Sequence, residues 1–151
     1  MEQRIKIDQL LPEAYKAMYT LTASTVKSNL THIQKELIKL RASQINGCAF
    51  CLDMHSKDAL KFGETPQRIF VLNAWRETDL FTDEEKAILA ITEEVTLISQ
   101  HGLTQATYEN ALKYFNEETV AQIIMSAIVI NSWNRIAIST HLEIPMAEAV
   151  V

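Results

Sequence analysis

The chain has 151 residues, 48% of them hydrophobic and 22% charged, the balance of an ordinary globular domain. Only three Gly and three Pro occur, which excludes turn-rich β-sandwiches and barrels and any Gly-rich phosphate loop. The net charge of −5 and a pI near 5.4 exclude a basic nucleic-acid footprint. The N-terminal MEQRIKIDQLLPEAYK carries no apolar signal core, and the greasiest stretch, Ile123 to Trp133, is broken by Ser126, Asn131 and Ser132. The expectation is a single-domain cytoplasmic protein without membrane or nucleic-acid partners. In that compartment thiols stay reduced, so two cysteines point to catalysis or metal binding rather than to a structural staple.

Periodicity reads as helix almost throughout. An early helix is expected from Pro12 to about Lys27. Thr31 and Gln34 form a capping box ahead of Ile33, Leu37 and Leu40, which predicts a helix to Ser43 or Ile45. Asn46-Gly47 breaks it, and a second helix follows from about Cys48 to Phe62, with Gly63 at the stop. Thr65-Pro66 starts another that runs through Ile69, Phe70 and Ala74. Thr82 and Glu85 cap a further helix carrying Ile88, Ile91, Val95 and Ile98 as one stripe. A shorter helix is expected from Gln105 to Phe115. The last, Glu117 to Ser139, is apolar nearly all round through Ile130, which places it in the middle of the domain or against another subunit. The whole reads as an all-α, single-domain bundle of about seven helices.

The chemistry-bearing segment runs from Asn46 to His55. Both cysteines lie in one Cys-x-x-Cys, Cys48 and Cys51, and residues three apart share a helix face. A helix starting just after Gly47 puts both sulfurs near its N-terminus, where free N–H groups and the dipole favour a thiolate. His55 lies four residues beyond Cys51 on the same face, placed to exchange a proton. Cys48 is a turn farther from that base and nearer the open helix end.

Glu36 joins by geometry. It lies ten residues before Asn46, roughly 15 Å along a helix, and His55 lies eight past Gly47, roughly 12 Å along the next. An antiparallel hairpin turning at Asn46-Gly47 brings the two to similar depth. Flanked by Ile33 and Leu40, Glu36 is expected to be a partly buried carboxylate with a raised pKa that orients His55 and shuttles its proton. The alternatives are two buried small thiols or a zinc site drawn from Cys48, Cys51, His55 and Glu36, the core of a non-enzymatic redox-sensing or metal-binding oligomer. His32, His101 and His141 are read as surface or capping residues, and Trp75 and Trp133 as packing anchors.

Glu36 followed by Cys48, Cys51 and His55 resembles the alkylhydroperoxidase D-like branch of the carboxymuconolactone decarboxylase superfamily. Leu40 to Gly47 and Asn131-Ser132-Trp133-Asn134-Arg135 extend the likeness. The resemblance implies an all-helical fold, a homo-oligomer, and hydroperoxide or disulfide reduction by the dithiol, with a thiol or dithiol reductant as partner and no cofactor or metal. It implies Cys51 as the peroxide-attacking thiol, Cys48 as the resolving thiol, and Glu36 and His55 as the proton relay. One position departs: where well-known members carry a second His just before the second cysteine, this chain has Phe50.

Overall fold

The computed structural model describes residues 2–145. A four-residue turn of helix, α1 (Ile7–Leu10), precedes α2 (Pro12–Val26), which starts with proline at its first position. Then come α3 (His32–Asn46) and α4 (Ala49–Lys61). α5 (Pro66–Val71) runs into a 3-10 helix, Leu72–Glu77. α6 (Asp83–Thr96), the short α7 (Ile98–His101), α8 (Gln105–Ala111) and the long α9 (Glu117–Thr140) complete the order. No strand occurs among the described residues, and no helix among them is long and apolar enough to cross a membrane. The fold is all-α.

Both expected capping boxes form. The Thr31 hydroxyl accepts from the Gln34 N–H while the Gln34 side chain accepts from the Thr31 N–H, and Thr82 and Glu85 repeat the exchange. Three boundaries differ from the sequence expectation. The helix begun at Pro66 does not run evenly through Ala74: it tightens at Leu72, and Ala74 leaves helical dihedrals where Trp75 turns inward to donate to Glu93 at 2.8 Å. The stripe of α6 stops before Ile98, because Leu97 leaves the helical region and Ile98 stands exposed on α7. The helix from Gln105 ends at Ala111 rather than Phe115.

The core is shared by α3, α6 and α9, which interleave Ile38, Ala42, Ile88, Ile91, Ile123 and Ala127. A second cluster, around Leu37, Leu40, Leu72, Trp75 and Leu89, lies between α3, α6 and the 3-10 helix. The apolar run of α9 is thus covered largely by its own chain: Ile123, Ala127 and Ile130 are buried, and only side chains such as Met125 and Ile128 face outward. By contrast α2 contains no buried residue. It lies on α9 through Tyr15 and Tyr19, whose rings sit 5.2 Å from that of Trp133, and through Thr22, which accepts from the Trp133 indole at 2.8 Å. That placement makes α2 the roof of a cavity.

Candidate active site

The site is built on the turn between α3 and α4. Gly47 closes α3 with φ +68°, a left-handed conformation that strains any other residue. The turn is pinned to α9 by amides. Asn46 Nδ2 donates to Asn131 Oδ1 at 2.9 Å and to Asn134 Oδ1 at 2.8 Å, and Asn134 Nδ2 donates to Ser43 Oγ at 3.0 Å. Asn131 Nδ2 carries the cluster on to Thr96 Oγ1 of α6 at 2.9 Å. These buried amides are legible in the sequence only as the Asn-x-x-Asn of the late motif.

Cys48 is the N-cap of α4 rather than its first residue, and Cys51 lies in the first turn. Both are reduced and buried, with Sγ atoms 2.7 Å apart in a thiol–thiol hydrogen bond. The pair titrates as a unit. That bond lowers Cys48 to about 7, helped by the Cys51 backbone N–H and the Asn134 amide, which outweigh burial. The same bond, then burial and the Cys48 charge, push the Cys51 thiol up. In the resting geometry the charge therefore sits on Cys48.

Glu36 and His55 meet as the hairpin geometry expects: His55 Nδ1 lies 2.9 Å from Glu36 Oε2, and both side chains are buried. The expected raised pKa of Glu36 is corrected. Burial pushes the carboxyl up, but hydrogen bonds from His55 and Lys39 and the charge of Lys39 outweigh it and hold Glu36 below the usual carboxylate range. Lys39 Nζ sits 2.7 Å from Glu36 Oε1, an ion pair to which the sequence reading assigned no role. Glu36 is therefore an ionised partner for His55, with one oxygen on each neighbour.

The zinc set of two thiols, His55 and Glu36 is not gathered. Among the described residues, the metal-ligating atoms that come within 4.8 Å of one another are those of Glu36, His55 and Asp58. His32 is exposed and stacks on Phe62, His101 is exposed at the end of α7, and His141 caps α9 in a left-handed conformation. Trp133 is more than a packing anchor, because it lines the cavity in front of the thiols; Trp75 is a buried anchor.

The two thiols open on different spaces. Cys51 and His55 line a cavity of about 280 Å³ between α2, α3, α4 and α9, walled mainly by apolar and aromatic side chains such as Tyr15, Met54, Ile130 and Trp133. Cys48 lines a second, more open space with Ile138, His141, Leu142 and Glu143. Phe50 borders both.

Residues 12–94 match the model of the carboxymuconolactone decarboxylase family. The chain belongs to that family. It is 42% identical over 139 residues to the uncharacterised protein YdfG of Bacillus subtilis, covering 92% of this chain and 95% of that one. It superposes with a TM-score of 0.93 and 38% identity on the crystal structure of an Agrobacterium tumefaciens protein of unknown function, described as a candidate antioxidant-defence protein AhpD, over 97% of this chain and all of that one. An uncharacterised peroxidase-related protein from a Silicibacter species shares the fold, with a TM-score of 0.75, 24% identity, and coverage of 89% and 70%. In this family member the late Asn-Ser-Trp-Asn-Arg segment supplies the amide cluster and a cavity wall.

The thiol–thiol bond sets a measurable pH dependence. Alkylation of the reduced protein by iodoacetamide should show one fast thiol, Cys48, with a midpoint near pH 7. In Cys51→Ala the donor is gone, and the midpoint should move up toward the ordinary thiol value. Peptide mapping that places the fast thiol at Cys51 contradicts this electrostatic account.

Proposed function

We propose that this protein is a dithiol peroxidase that reduces organic hydroperoxides and is itself reduced by a thiol donor. The observation that carries the reading is the S–H···S pair at 2.7 Å whose Cys51 side faces an apolar cavity beside a Glu36–His55 dyad. The Agrobacterium relative described as a candidate antioxidant-defence protein supports it.

The chemistry balances over the two thiols. Moving the shared proton from Cys51 to Cys48 transfers the negative charge to Cys51, one helical turn from His55. The Cys51 thiolate attacks the terminal oxygen of the hydroperoxide, the O–O bond breaks, and a proton delivered through His55 and Glu36 completes the alcohol. Cys51 is left as a sulfenic acid. Cys48 then attacks its sulfur, hydroxide leaves with the Cys48 proton as water, and an intramolecular disulfide forms. One hydroperoxide and two thiols thus become one alcohol, one water and one disulfide. A thiol donor reaching Cys48 from the second space reopens the disulfide.

The low pKa of Cys48 favours a second reading, in which Cys48 is the attacking sulfur and exchange with external disulfides is the main reaction. Two variants separate the readings. Cys51→Ser should consume no cumene hydroperoxide even in the first turnover. Cys48→Ser should consume about one equivalent per chain, hold a sulfenic acid at Cys51, and stall. The reverse pattern makes Cys48 the nucleophile, and oxidation of neither variant faster than free cysteine removes the peroxidase reading. Glu36→Gln should slow turnover by roughly 10²–10⁴-fold, the range for acid–base steps.

We also propose a homo-oligomer, with α2 and the outer face of α9 in the contact. Leu10, Leu11, Tyr19 and Val26 are more than half exposed along α1 and α2, and Met125 and Ile128 add to them on α9. Ile123 and Ile130, buried in their own chain, stay out of the contact. Light scattering at micromolar concentration should give a multiple of 17.1 kDa; a 17.1 kDa particle contradicts the proposal.

A further inference from the structure

The cavity in front of Cys51 has polar groups at its far end that the dithiol chemistry does not use. Ser126 is 6% exposed, lines the cavity, and its hydroxyl has no hydrogen-bond partner. Helical serines and threonines commonly donate to the carbonyl four residues back, as Ser132 and Thr140 of the same helix do. Ser126 does not, and a buried hydroxyl left unpaired carries its desolvation penalty, which a turn of the side chain toward the adjoining cavity and an acceptor there would relieve.

Lys35 lines the same space. Its Nζ donates to the Val26 carbonyl at 2.6 Å, and it forms no ion pair with any carboxylate among the described residues. An ammonium has three donors, so two remain. Burial and the charge of Lys39 both depress the Lys35 pKa, as expected for a cation short of countercharge. Lys39 is spoken for by Glu36. No Asp or Glu lines the cavity: in a protein of net charge −5, this pocket offers two ammonium groups and no carboxylate.

The two free groups stand at one level. Cys51 lies beside Ser43 and Asn134, both near enough to lower its pKa, which places it at their height along α3 and α9. These helices run in the same direction, since Asn134 meets Ser43 at one end and Gln122 accepts from the Asn29 N–H at the other. Lys35 lies eight residues before Ser43, and Ser126 eight residues before Asn134. Their backbone positions are therefore both about 12 Å along the helix axes from the level of Cys51, at 1.5 Å per residue. Between them lie apolar walls including Val129, Ile130 and Trp133.

We propose that the cavity selects hydroperoxides of amphipathic carboxylic acids, with the carboxylate held by Lys35 and Ser126 and the peroxide at Cys51. A carboxylate accepts from both an ammonium and a hydroxyl, and the apolar span between matches an alkyl chain. The reactive end of this inference rests on the peroxidase reading; the head-group end does not.

Two measurements keep them apart. Trp133 lines the cavity, so its fluorescence in the reduced protein reports binding without turnover. Decanoate should bind about tenfold or more tightly than methyl decanoate, the scale of one charge-assisted hydrogen bond. Lys35→Met and Ser126→Ala should each shrink that preference, and Lys35→Arg should keep it. Equal affinity for acid and ester, no binding of decanoate, or a preference that survives Lys35→Met overturns the proposal. In turnover, linoleic acid hydroperoxide should show a lower KM than its methyl ester, and Lys35→Met should erase the difference. Preferential binding of decanoate with no reduction of either hydroperoxide supports the head-group assignment and overturns the peroxidase reading. Equal reduction of acid and ester overturns the head-group assignment and leaves the peroxidase reading standing.

Discussion

The site depends on a buried cluster of side-chain amides that locks the α3–α4 turn to α9. Asn134 is fully buried, and its Oδ1 accepts from Asn46 while its Nδ2 donates to Ser43. An amide in the core is tolerated only when its donors and acceptor are met, so removing any one member strands the others at a cost of about 1–3 kcal/mol each. The cluster therefore sets one register between α3 and α9. Gly47 then reverses the chain tightly enough for Cys48 to cap α4 directly beneath those amides. The same Asn134 side chain lowers the pKa of both thiols, so one residue serves both the structural lock and the electrostatics of the dithiol.

Charge is distributed around that lock in a consistent way. Cys48 is the more acidic thiol because the neighbouring Cys51 thiol, and after it the Cys51 backbone N–H at the start of α4, favour its charged form. Glu36 remains ionised although buried, because Lys39 and His55 occupy its two oxygens. Both of these buried charges thus have a partner, as burial demands. The thiols are divided between two spaces, with Phe50 bordering both.

Local signals carried much of this from the sequence. The capping boxes at Thr31 and Thr82 start helices where expected, because a cap is decided within four residues. The Cys-x-x-Cys and the Glu36–His55 meeting were also legible, since helix rise alone fixes depth in a hairpin that turns at Asn46-Gly47. What escaped is non-local. The pKa direction of Glu36 turns first on the hydrogen bond from His55 on α4 and then on Lys39, which together outweigh burial. The 3-10 segment at Leu72 follows the pull of Trp75 toward Glu93 on another helix. The unpaired hydroxyl of Ser126 depends on what packs around it in the fold. An apolar helix such as α9 looks the same from sequence whether its own chain or a partner covers it.

The central claim is that Cys48 and Cys51 act as one redox pair. Its most direct measurement is a free-thiol titration of the reduced wild-type protein after one equivalent of cumene hydroperoxide per chain. The account predicts the loss of two thiols per chain, a mass two hydrogens lighter, and full recovery on treatment with dithiothreitol. Retention of both thiols after the pulse, or loss of one with an added oxygen that persists, contradicts it.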